Sequence, residues 1–200
     1  MHLVFFVKSA TVDVEKFNIK DITGSSGRLD VISRCILSAL IGEEGLENNV
    51  QIWIFLDKYG TFIFDSNAFD KNTFPISEIK LSNYFVNLIL DKKENRRIED
   101  NPLNPVKYIQ SNFFEEVKRF KKKWYKVIVL TENGISFNEI FLNIRKDDNL
   151  LFIVGDQTGE IVNNIELQDQ SVINMSLGRK SYLASSVIRL IKLNLILLIS

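Results

Sequence analysis

Arg28, Asp30 and Arg34 crowd the start of one helical stretch, GSSGRLDVISRC, residues 24–35. Asp30 and Arg34 stand four apart, the spacing that brings two side chains to one face of a helix. A carboxylate beside two guanidinium groups can clamp a phosphate or a base carbonyl. Spacing alone favours a plainer reading, an exposed ion pair on a capped helix.

Three more stretches have the shape of binding loops. VIVLTENG, residues 127–134, and LFIVGDQTGE, residues 151–160, each read as a buried strand ending in a polar turn, at 130–134 and at 155–160. Ligands of open α/β sheets bind at the carboxyl ends of strands, where glycine lets a backbone come close. Gly155 and Gly159 fit that use. Neither stretch has the GxGxxG spacing of a dinucleotide site or the GK[ST] ending of a phosphate loop. VINMSLGRKSYLASSVIRL, residues 172–190, carries Ser176, Leu177 and Gly178 between a strand and the last helix. By itself a glycine there is an ordinary turn.

KRFKKKWYK, residues 118–126, sets six cations among Phe120, Trp124 and Tyr125. Lys121, Lys122 and Lys123 with an aromatic face suit RNA phosphates and bases. A solvated helix end with its aromatics in the core fits equally well. His2 and Cys35 are the single residues of their types, so a His/Cys zinc site is excluded and no metal is expected. As the second residue, His2 is expected in solvent or on an edge strand, with no catalytic role.

The elements that must carry these residues follow from periodicity. Apolar, β-branched and aromatic runs at 3–7, 50–56, 61–64, 125–130, 150–154 and 172–175 read as strands. Several barely alternate, which marks strands covered on both faces of a parallel sheet. Helical spacing appears at 30–40, 76–90 and 181–199, and another helix follows Ser111, read as its cap, with Glu115 and Glu116 in the first turn. The polar run 91–105 reads as a connection. The predicted class is α/β with a mostly parallel sheet and helices on both faces.

Composition narrows the setting. The chain has 200 residues, 46% hydrophobic and 25% charged, with 25 Lys plus Arg against 25 Asp plus Glu. That suits one domain spanning 1–200, and any nucleic-acid contact must come from local patches. A single cysteine excludes an internal disulfide and fits a reducing, cytoplasmic setting. The opening MHLVFFVKSATVD lacks a basic leader and a cleavage site, so it is expected to be a strand. Residues 187–199 are apolar but include Arg189 and Lys192 and fall short of the roughly 20 residues of a membrane span. No membrane association is expected.

SGRLDVISRC, then LTENG, then VGDQTG, then SLG with LAS before a last helix, in this order over residues 1–191, resemble the SPOUT superfamily of knotted RNA methyltransferases. Within it they are most similar to the tRNA pseudouridine N1-methyltransferases. The resemblance implies a deep C-terminal trefoil knot and S-adenosyl-L-methionine as cofactor, held by Leu130, Gly155, Ser176, Leu177, Gly178, Leu183 and Val187. At Val187 the family usually has a cysteine. It also implies a homodimer through the last helix and methylation of N1 of pseudouridine at tRNA position 54, with Arg28, Asp30 and Arg34 as catalytic candidates. A ribosomal RNA target and a non-catalytic RNA-binding assembly factor remain as alternatives.

Overall fold

A computed structural model describes residues 1–94, 100–155, 172–178 and 182–199. Its centre is strand β1 (His2–Ser9), and the full sheet has the order β6-β5-β4-β1-β8-β7-β9. Strands β4 (Val50–Leu56), β1, β8 (Asn149–Val154), β7 (Lys126–Ser136) and β9 (Ile173–Ser176) are parallel. β5 (Gly60–Asp65) and β6 (Lys107–Ile109) add an antiparallel edge. A two-stranded hairpin, β2 (Ile41–Gly42) with β3 (Gly45–Leu46), stands outside the sheet.

Successive side chains of a strand point to opposite faces. In β1, Leu3, Phe5 and Val7 join one core cluster while Val4 and Phe6 join another. Both faces are covered, which is why the run LVFFV shows no polar alternation. Helices α2 (Leu29–Leu40), α3 (Glu78–Glu94) and α6 (Ala184–Ile199) contribute Ile32, Ile36, Leu81, Phe85, Ile188 and Ile191 to the first cluster. Helix α4 (Phe113–Lys122) covers the other face with Phe113, Val117 and Phe120. There Phe6 lies at the middle of an aromatic group, 4.9 Å from Phe55, 5.2 Å from Phe120 and 5.3 Å from Trp53. Each fully buried side chain of this size stabilises the fold by about 1.5–3 kcal/mol.

Several boundaries differ from the sequence reading. Asn112, not Ser111, caps α4, its side chain accepting from the Phe114 N–H at 2.8 Å. Asn and Ser cap about equally well, so residue type does not decide between adjacent candidates; here the Ser111 hydroxyl has no hydrogen-bond partner and Asn112 makes the cap. β7 does not stop at Leu130. It runs on to Ser136 beside β9, and Met175 pairs with both Leu130 and Ile135, so residues 131–134 bulge outward. The polar character of TENG is that of a bulge. Short helices α1 (Ile22–Ser25) and α5 (Phe137–Phe141) have too few residues to show a period. His2 lies on the central strand, half-buried, not on an edge.

Because β1 and β4 are parallel neighbours joined through α2, the helix returns from the carboxyl end of the sheet to its amino end. The start of α2 therefore lies on the carboxyl rim, together with the ends of β7 and β9.

Candidate active site

Residues 10–28, which include α1, connect β1 to α2, and hydrogen bonds within this segment aim Arg28. The Asp13 N–H donates to the Ser26 carbonyl at 3.1 Å, and the Thr11 hydroxyl to the Gly27 carbonyl at 2.8 Å. Gly27 has φ +57 and lies so close to Thr11 that a Cβ would overlap its carbonyl oxygen, so only glycine fits. Arg28 follows with φ 73, a left-handed conformation that costs an L-residue about 1–2 kcal/mol.

That conformation turns the guanidinium back onto Asp30. Arg28 Nε donates to Oδ1 at 3.1 Å, and Arg34 Nη2 to Oδ2 at 2.6 Å. Asp30 is 5% exposed, whereas the arginine side chains are 42% and 34% exposed. The simple exposed pair foreseen as the plainer reading does not describe this. A buried carboxylate holds two partly exposed cations, and with Glu78 beside Arg34 the four charges balance. Arg34 Nε has no hydrogen-bond partner and lies 3.7 Å from Glu78. Cys35, one residue on, is fully buried, and burial pushes its thiol up to about 12, so it is no nucleophile at neutral pH.

At the carboxyl ends of β7 and β9 lies a cavity of about 500 Å³. Ser176, Leu177 and Gly178 form one wall, Glu132, Gly134, Ser136, Phe137 and Asn138 another, and Tyr182, Leu190 and Asn194 close it from the α6 side. Ser176 ties the walls together. Its hydroxyl donates to the Glu132 carbonyl at 3.0 Å and accepts from the Gly178 N–H at 3.1 Å. Gly134 is pressed against the β9 backbone, where a Cβ would stand 2.6 Å from the Met175 nitrogen. Any side chain there would force the two strands apart.

Of the residues expected to hold a cofactor, Ser176, Leu177 and Gly178 line this cavity. Leu130 sits half-buried at the start of the bulge, and Gly155 just beyond β8. Leu183 is 58% exposed ahead of α6, its carbonyl accepting from the Ser186 and Val187 N–H groups. Val187 is buried in the main core cluster. These four are not among the lining residues. Gly159 and the rest of the GDQTGE turn after Gly155 fall outside the described residues. The bulge and α5 supply lining that sequence reasoning missed, and LTENG was the only signal for it.

Lys121, Lys122 and Lys123 end α4 at the amino end of β7. They are therefore at least ~13 Å from the cavity, taking four strand steps from Lys126 to Leu130. Trp124, with φ 64, is 91% exposed, while Phe120 is buried. The aromatics thus divide between core and surface.

The cavity fits an adenosyl ligand in size and character: glycine backbone and a serine hydroxyl for polar edges, with Leu177, Phe137 and Leu190 as apolar wall. Residues 1–197 match the model of a family described as putative SAM-dependent RNA methyltransferases. The chain belongs to that family. Among relatives of this RNA methyltransferase, the tRNA (pseudouridine(54)-N(1))-methyltransferase of Thermococcus gammatolerans is 28% identical over 187 residues, 88% of each chain. The same-named enzyme of Pyrococcus abyssi is 25% identical, with 96% of each chain covered. In fold it is similar to Archaeoglobus fulgidus Nep1 bound to S-adenosylhomocysteine, with a TM-score of 0.62 over 96% of both chains at 16% identity. Among the described residues no group of three or more His, Cys, Asp or Glu is placed to hold a metal, and no helix is long and apolar enough to cross a membrane.

Proposed function

We propose that this family member methylates N1 of pseudouridine at position 54 of tRNA, acting as a single domain over residues 1–200. The observation that carries the reading is the likeness, over 88–96% of the chain, to enzymes of that name, joined to a cavity formed where the SLG loop meets LTENG. A tRNA substrate implies a cytoplasmic enzyme.

Ser176, Leu177 and Gly178 would hold the adenosyl cofactor, with Leu130, Gly155, Leu183 and Val187 in the surrounding shell. Bound there, S-adenosyl-L-methionine supplies an electrophilic methyl group. One carbon–nitrogen bond forms at N1 as the N1–H bond breaks, so the site must align the ring nitrogen, accept a proton and stabilise charge on the uracil carbonyls. The exposed edges of Arg28 and Arg34 face that charge, and Asp30 fixes both arginines. None of the cavity's lining residues comes from α2. Delivery of the cluster from a second subunit is consistent with the proposed homodimer, whose contact is the outer face of α6. The deep trefoil knot that the resemblance implies would lie in this C-terminal part of the chain, a rare exception to the rule that connections do not thread loops. Lys121–Lys123, remote from the cavity, would meet RNA backbone away from the target base.

The test is methyl transfer from labelled S-adenosylmethionine to two matched tRNAs, one with pseudouridine and one with uridine at position 54. Label in the pseudouridine tRNA alone is expected. Label only in a ribosomal RNA fragment would move the target, and cofactor binding without transfer to any RNA would leave a non-catalytic factor.

A further inference from the structure

A second cavity, of about 510 Å³, opens beside the ends of β1 and β4 and between the β4–β5 turn, α3 and the start of α4. Nothing in the proposed chemistry uses it. Its lining includes Lys8, Lys58, Lys92 and Lys93 with one acid, Asp57, in a chain whose total charge is zero. Asp13 and Glu15, outside the lining, pair with two of these lysines, so the local excess is one positive charge.

Three of the lysines have exposed partners: Lys8 with Asp57 at 3.2 Å, Lys58 with Asp13, and Lys93 with Glu15 at 2.8 Å. Such pairs contribute at most about 1 kcal/mol, so a phosphate can compete for the ammonium groups. Lys92 is exposed and has no ion-pair partner among the described residues. The walls also carry Tyr108 and Phe114, both half-buried, which offer a base an aromatic surface. Ser111, on the same wall, has a hydroxyl with no hydrogen-bond partner. Cations, an unsatisfied hydroxyl and aromatic surface together match a nucleotide.

β4 and β7 are separated by three strand spacings, so along the carboxyl rim the two cavities stand roughly 14 Å apart, a few nucleotides of RNA. We infer that this lysine-lined cavity is a subsite for a nucleotide of the substrate RNA flanking the target base, its phosphodiester held by Lys8 and Lys92. The inference rests on the RNA methyltransferase reading above and names a second place where that substrate is gripped.

The experiment titrates a T-arm RNA hairpin against wild type, Lys92→Gln and Lys8→Gln at several salt concentrations. Each variant is expected to weaken binding about three- to tenfold and to flatten the slope of log Kd against log salt by about 0.7–0.9, the signature of one lost phosphate contact. The Kd for S-adenosylmethionine and kcat at saturating RNA stay unchanged. A methylphosphonate at one flanking position should reproduce the loss in wild type and add nothing in Lys92→Gln. Unchanged affinity and slope in both variants would overturn the subsite. Lys92 has no ion-pair partner among the described residues, and an unchanged urea midpoint in Lys92→Gln separates lost RNA contact from lost stability. Wild-type methyl transfer is read separately: binding without transfer defeats the functional reading alone, and if ribosomal RNA proves to be the substrate, the same titration uses that RNA. A wild type that binds no RNA defeats both.

Discussion

Helices α2 and α6 pack against one another, yet they distribute their side chains in opposite ways. Nine of the twelve residues of α2 are buried, and its polar ones are matched: Ser33 bonds Ser82 at 2.7 Å, and Asp30 holds two arginines. In α6, Ile188, Ile191 and Leu195 join the core, but a lysine is inside with them and other apolar residues are outside. Lys192 is 8% exposed, while Leu193, Ile196 and Leu197 are 55%, 54% and 75% exposed. Leu193 and Ile196 leave an exposed apolar strip on α6, the face through which the proposed dimer would form.

The largest effect should come from the exposed face of α6. In the proposed dimer Leu193 and Ile196 leave water, each contributing about 25 cal/mol per Å² of apolar area removed. Leu193→Glu with Ile196→Glu is expected to convert a dimer into a monomer by sedimentation. Protomer stability should change by no more than about 0.5 kcal/mol, because neither residue is in the core. A wild type that sediments as a monomer would sink the dimer, and with it the delivery of Arg28 and Arg34 across subunits.

That contrast marks what the sequence can express. Unbroken apolar runs such as LVFFV and LLFIV reported a doubly covered parallel sheet, because a strand with two covered faces has no need of polar residues. The SLG loop by itself read as an ordinary turn; its order after SGRLDVISRC, LTENG and VGDQTG gave it weight, and it lines a cavity in the fold. Periodicity also found α6, but it cannot say whether the same chain or another covers a leucine. Lys192 was legible only as a charge that shortens an apolar run, since its partners are backbone carbonyls more than 150 residues away. The lining by Glu132, Ser136 and Asn138 was hidden because a bulge depends on the register of β9, not on local sequence. The burial of Asp30 depends equally on the fold around it.

Lys192 gives the next effect in size. Its ammonium donates to the Ser38, Ala39 and Ile41 carbonyls at 3.1, 3.0 and 2.8 Å, and pairs with Glu47 at 2.9 Å. It satisfies the carbonyls that the end of α2 leaves free. Burial pulls its ammonium below the usual lysine range, with Glu47 acting in the other direction. Lys192→Met keeps the volume and removes every donor, so it should cost about 1–3 kcal/mol in urea unfolding. An unchanged midpoint would mean that water replaces the ammonium, and that α6 is attached to α2 by its apolar side alone.

The smallest effect is at the opposite end of the sheet from the cavities and tests a residue that sequence reading set aside. His2 Nδ1 lies 2.6 Å from the Tyr125 hydroxyl, and the His2 N–H donates to Asn149 at 3.2 Å. Burial lowers the imidazole from its ordinary 6.5, and the nearby Asp65 only partly offsets it. The folded chain therefore binds this proton less readily than the unfolded chain. Stability from the neutral ring is complete above 6.5 and declines as pH falls through that value, where the unfolded state takes up the proton first. Unfolding free energy measured between about pH 5 and 8 should fall on the acid side in wild type. In His2→Gln that part of the slope should vanish. Parallel profiles would assign the acid sensitivity to carboxylates, and the bond to Tyr125 would then hold the α4–β7 corner without titrating.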